Sequence, residues 1–99
     1  MEKSISSKME TEVLAIPFII KKEQKGYSAE CIDLNIVTQG SNLKEARQNI
    51  KDAIKLHLKS ASKLGILDDE LEKIGVVRKN KKLEIMPRHL EKAPIQIPI

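Results

Sequence analysis

Aromatic residues are scarce in this sequence: Phe18 and Tyr27 are the only two, and tryptophan is absent. Binders of single-stranded nucleic acid stack bases on a platform of rings, which two rings can hardly build. Cys31 is the one cysteine, so an internal disulfide framework and a cysteine-based metal cluster are both excluded. The four glycines are scattered, and no glycine-rich phosphate loop can form from them. No stretch approaches the roughly 20 apolar residues that a membrane-spanning helix needs. The first twelve residues are polar and carry acids, unlike a secretory or organelle leader. These absences lead to the expectation of a cytoplasmic protein with no membrane partner.

The 99 residues suit one domain. A 40% apolar and 32% charged composition is that of a globular chain. The net charge of +4 is unevenly spread. Residues 1–45 hold 6 basic and 7 acidic side chains, whereas residues 46–99 hold 12 basic and 7 acidic. The second half is therefore the electropositive one, and such a half can attract nucleic acid or an acidic partner.

Hydrophobic patterning predicts an α+β fold. Residues 1–10 have no periodicity and read as a disordered arm. Residues 13–20, VLAIPFII, form an apolar run too short for a free-standing helix, so a strand is expected there, continuing into Lys21 and Lys22. A polar turn ending at Gly26 leads to a second strand. In it Tyr27, Ala29 and Cys31 point one way and Ser28 and Glu30 the other. A third short strand covers residues 35–39, and Gly40 is expected to supply a positive φ at the strand-to-helix turn. Asn42 and Glu45 form a capping box for a helix running from Leu43 to about Lys63. Its apolar stripe is Leu43, Ala46, Ile50, Ala53, Ile54, Leu58, Ala61 and Leu64, and Gly65 stops it. Asp68 or Asp69 is expected to cap a short second helix closed by Gly75. A turn near Asn80 and a strand stopped by Pro87 follow. The expected architecture is thus a small antiparallel sheet in β-β-β-α-β order, with one long helix on one face. The domain is expected over residues 11–93, with an extended arm over 94–99.

Chemistry-bearing residues are few. His57 and His89 lack metal-ligand spacing with any cysteine or acid pair. Cys31 reads as a small core thiol, and His57, within the helix stripe, as a hydrogen-bonded core or interface residue. Glu30, Asp33, Glu45 and Asp52 invite a two-metal nuclease reading. Their expected positions diverge, because Glu30 points away from the helix, Glu45 is used in capping and Asp52 faces solvent. No catalytic residue, cofactor or metal site is therefore expected. A possible nucleic-acid patch comprises Lys44, Lys51, Lys55 and Lys59 on the helix with Arg78, Lys79, Lys81 and Lys82 in the RKNKK segment.

Three stretches in order carry a family likeness: GYSAECIDL at 26–34, TQGSNLKEA at 38–46 and NIKDAI at 49–54. They resemble the HicB antitoxin family, over about half of the chain. The resemblance implies a partial RNase-H-like fold without the nuclease acids. It also implies a non-enzymatic antitoxin that masks a small mRNA-cleaving toxin of the HicA type. Many members add a DNA-binding domain, but the segment after Gly65 offers no recognition helix of useful length. His57 stands where the family often has an aromatic residue. Two other readings stand beside this one: a stand-alone nucleic-acid-binding module and an orphan oligomeric scaffold.

A homodimer or higher homo-oligomer is expected, because one helix can cover only one face of the sheet. Leu14, Ile16, Phe18 and Ile20 would then face a second subunit or the C-terminal arm. In that arm Ile95, Ile97 and Ile99 alternate with Gln96 and Pro98, and each isoleucine left in water forgoes about 1.5–3 kcal/mol of burial. Strand addition on a neighbouring subunit, on a partner's sheet edge or on the chain's own sheet would recover it.

Overall fold

The computed structural model describes residues 13–99, so the arm expected at 1–10 lies outside the described residues. The fold is α+β. Strands β1 (Ile19–Lys22), β2 (Tyr27–Cys31) and β3 (Ile36–Gly40) form an antiparallel sheet in that spatial order. Helix α1 (Leu43–Lys63) lies on one face of the sheet. Helix α2 (Leu67–Lys73) and a separate hairpin of β4 (Val76–Lys79) and β5 (Lys82–Ile85) follow. The single strand expected after the long helix is thus one arm of a hairpin that stays apart from the main sheet.

Alternation assigns the two faces of the sheet. The register sets Ile20, Ala29 and Thr38 in one row, and Cys31 opposite Ile36, beneath α1. The open face carries the rows Ile19–Glu30–Val37 and Lys21–Ser28–Gln39. Ala29 and Cys31 are fully buried, as is the facing pair Ala46 and Ile50 of α1. Leu34, Ile54, Leu71, Ile74 and Val76 complete the core. Two expected members of the helix stripe, Leu43 and Leu64, are exposed. They sit at the helix ends, beyond the reach of a three-stranded sheet.

The cap forms as expected. The Asn42 side chain accepts from the Glu45 amide at 2.8 Å, and Glu45 reaches back to the amide and hydroxyl of Ser41. Those two donors hold the Glu45 carboxyl below its usual pKa. At the other end Ile66 N–H donates to Ala61 and Gly65 N–H to Ser62. With Gly65 at φ +77°, this is a Schellman ending.

Four expectations need correction. The strand expected over residues 13–22 is hydrogen-bonded only from Ile19, because β2 ends at Cys31 and its chain turns away as a 3-10 turn (Ile32–Leu34), leaving residues 13–18 no ladder partner among the described residues. Leu14, Ile16, Phe18 and Ile20 pack on the chain's own core, not outward; Val13, Ala15, Pro17 and Ile19 form the exposed row. Asp68 and Asp69 lie inside the first turn of α2, whose N-cap is Ile66 with no side-chain bond. The acids there act through the helix dipole instead. Gly40 is not among the positive-φ glycines, which are Gly26, Gly65 and Gly75. It is required by close approach: a Cβ on Gly40 would lie 2.7 Å from Ala46 Cα and 2.9 Å from the Glu45 carbonyl carbon.

That contact is backbone against side chain and cannot relax by a rotamer change. Gly40→Ala is therefore expected to lower unfolding stability by about 1–3 kcal/mol, read as a lower urea midpoint with unchanged slope.

Candidate functional site

A groove of about 670 Å³ opens at the end of the sheet where β2 turns away. One wall is the extended segment at residues 15–19. The other is residues 85–90, which leave β5 and cross the end of the sheet, and Ile74 and Val76 lie between them. Apolar side chains dominate the lining, among them Phe18, Ile32, Ile85 and Met86. Two interactions hold the second wall in place. Met86 N–H donates to the Gly75 carbonyl at 2.6 Å. The Arg88 guanidinium meets Asp33 with paired bonds of 3.1 and 3.0 Å. Bidentate pairing fixes orientation as well as distance, so Asp33, in the 3-10 turn, docks a segment 55 residues further along the chain.

Beyond this anchor the chain leaves the body. Residues 86–99 carry no regular secondary structure. Leu90 is 98% exposed, Ile95 71% and Ile97 68%. The arm at 94–99 therefore does not dock on the chain's own sheet.

A second cluster joins the two helices. His57 Nε2 lies 2.6 Å from Glu70 Oε1, and Lys73 Nζ lies 2.7 Å from the other Glu70 oxygen. Glu70 is 7% exposed, the one buried acid among the described residues. Its bond from Lys73, then that from His57, holds the carboxyl below its usual pKa. His57 is thus a hydrogen-bonded bridge, as its place in the stripe implied. Its partner was not legible, because Glu70 lies on a different element whose facing direction only packing fixes.

The remaining chemistry-bearing residues are dispersed. Asp52 accepts from Gln48, Glu45 is used at the cap, Asp33 holds Arg88, and Glu30 lies 4.0 Å from Lys21. Among the described residues no group of three or more His, Cys, Asp or Glu is placed to hold a metal ion. Burial pushes the Cys31 thiol up from its ordinary value, which suits a packing role. Lys44, Lys51, Lys55 and Lys59 are exposed on the solvent side of α1. The RKNKK segment is divided by its own ion pairs: Arg78 binds Asp68 at 2.9 Å and Lys79 approaches Glu84 at 3.7 Å, while Lys81 occupies the hairpin turn and Lys82 opens β5. Asp68 is held below its usual pKa by the Arg78 bond. No described helix is long and apolar enough to cross a membrane.

No protein-family model matches this chain, and neither a curated protein nor a solved structure matches it.

The residues that build the groove were partly anticipated. Phe18 and Ile16 were expected at an interface, but they line the groove from the inside while packing on the core. Asp33 and Arg88 were missed as a pair. The only available signal was an acid breaking the alternation of β2.

The Glu70 cluster has a pH signature. A carboxyl whose folded pKa is depressed stabilises the fold above its unfolded value, and that contribution is lost as pH falls through the folded value. The stability difference between the wild type and Glu70→Gln is therefore expected to be largest near neutrality. It should shrink as pH drops below about 4.3, the ordinary glutamate value, as measured by urea unfolding at a series of pH values.

Proposed function

We propose that this chain is a non-catalytic, antitoxin-like binding protein acting in the cytoplasm, and that its partner is a small mRNA-cleaving toxin of the HicA type. The observation that carries the reading is how the HicB-like stretches are used. Residues 26–54 make a hairpin, an acid-leucine turn, a close glycine turn and a capped helix, packed as one unit. Within that unit Asp33, Glu45 and Asp52 each hold a structural hydrogen bond. A nuclease of RNase-H type needs acids converging on metal ions, and acids committed to caps and struts support a binding role instead.

The open sheet face is a fitting contact for such a toxin. Glu30 stands there between Ile19 and Val37, both exposed. An acid flanked by apolar residues matches a basic, partly apolar partner, and the charge would steer the encounter. The nucleic-acid reading is second. It is favoured by Lys44, Lys51, Lys55 and Lys59, none of which ion-pairs with a described carboxylate.

Co-expression with a small mRNA-cleaving toxin of the HicA type tests the proposal. Relief of growth arrest and a co-purifying complex are expected. Glu30→Lys should weaken that complex about tenfold at low salt while leaving the fold intact. Persistent growth arrest beside a folded, abundant chain would refute the antitoxin reading. Steep salt-dependent binding of RNA by the purified chain, abolished by Lys51→Glu with Lys55→Glu, would favour the second.

A further inference from the structure

We infer that the groove is the docking site for residues 94–99 of a second copy of this chain, and that two copies exchange these arms. The groove has an unfinished wall. Residues 13–18 are extended and alternate inward and outward as a strand does, yet have no ladder partner among the described residues. Residues 94–99 are exposed throughout and pair with no strand among the described residues. Within them Ile95, Ile97 and Ile99 recur at every second position and stand exposed. Adding one to the other by strand pairing satisfies both backbones and buries the isoleucines against Phe18, Ile32 and Met86.

The chemistry of the two surfaces agrees. Residues 93–99 carry no charged side chain, which suits a groove lined mainly by apolar side chains, where Asp33 and Arg88 are already paired with each other and Glu30 stands at the edge of the open sheet face. Six extended residues span about 20 Å, the reach of the unpaired wall. The prolines also set a direction. Alternate amides along a strand point to the same edge, so Pro94 and Pro98 remove two of three donors from one edge of the arm. The edge bearing the amides of Ile95, Ile97 and Ile99 keeps all three. An arm with one competent edge caps a sheet and does not propagate.

The occupant is a second copy because the chain's own arm is directed elsewhere. It departs from Leu90, itself part of the groove wall. Folding back requires a reversal within residues 91–93, and Ala93 is held extended by the proline that follows it. The molecule measures 65 Å in its longest dimension against 30 and 21 Å in the others, as a projecting arm requires. One six-residue arm is small beside the roughly 800 Å² per partner of a stable interface. Reciprocal exchange about a two-fold axis doubles the contact, since each copy both gives and receives an arm.

Sedimentation equilibrium and cross-linking of the full chain test this. The wild type is expected at twice its 11.2 kDa mass. Ile95→Asp with Ile97→Asp should raise the dimer dissociation constant at least about a hundredfold, with an unchanged circular dichroism spectrum. Ala15→Arg, at an exposed position on the groove wall, should do the same from the other side. When Ala15→Cys and Ile97→Cys copies are mixed and oxidised, a disulfide should join them. A monomeric wild type at high micromolar concentration overturns the proposal. So does a dimer that survives the arm variant, or a chain carrying both cysteines that closes on itself at monomer mass.

Discussion

The fold depends on how closely helix α1 approaches the sheet. Ala29 and Cys31 on β2, Gly40 at the end of β3 and Ala46 in the first turn of α1 form a seam of small residues. A side chain at Gly40 would meet the backbone of the helix, so the approach is closed to anything larger. This seam sets where α1 begins, and the Asn42 and Glu45 cap fixes the direction in which it leaves. Ile50 and Ile54 then fall on the sheet without further adjustment. Asn49 adds a lateral tie by donating to the Gln39 carbonyl at 2.7 Å.

Everything after Gly65 is positioned from α1. The Schellman ending turns the chain back, and α2 returns along the helix with Leu71 and Ile74 in the core. Its buried Glu70 meets His57 of α1 on one side and Lys73 of its own turn on the other. A buried carboxylate with two cationic or hydrogen-bonding neighbours fixes the angle between two helices more narrowly than apolar packing alone. The β4–β5 hairpin follows, and Asn80 and Lys81 supply the two positive φ values that its two-residue turn demands. Arg88 then reaches Asp33 and closes the circuit between the C-terminal segment and the sheet end.

With the long helix spent on one sheet face, no other element among the described residues covers the second face. Ile19, Ile32 and Val37 stay exposed there, and the groove opens at the sheet end. The proposed interaction surfaces are those that this packing leaves over. That economy is natural in a chain of 99 residues, whose core is small relative to its surface.

Local chemistry was legible in the sequence. The Asn42–Glu45 cap, the Gly65 ending, the alternation of Tyr27, Ala29 and Cys31, and the turn at Asn80 are each fixed by residues within a few positions of one another. So was the extended, proline-marked character of residues 94–99, and the solvent-facing row of Lys44, Lys51, Lys55 and Lys59. What only the tertiary structure decided are relations across elements. Residues 13–20 offer one bulkier row, Leu14, Ile16, Phe18 and Ile20, which local sequence marks for burial, but what it packs against lies far along the chain; the core took it. Gly40 looked like a turn glycine and proved to be a packing glycine, because a close approach depends on the partner helix and not on the glycine's neighbours. The His57–Glu70 and Asp33–Arg88 pairs span 13 and 55 residues. A hydrogen bond is made by atoms within about 3 Å, and sequence separation carries no record of that distance until the chain has folded.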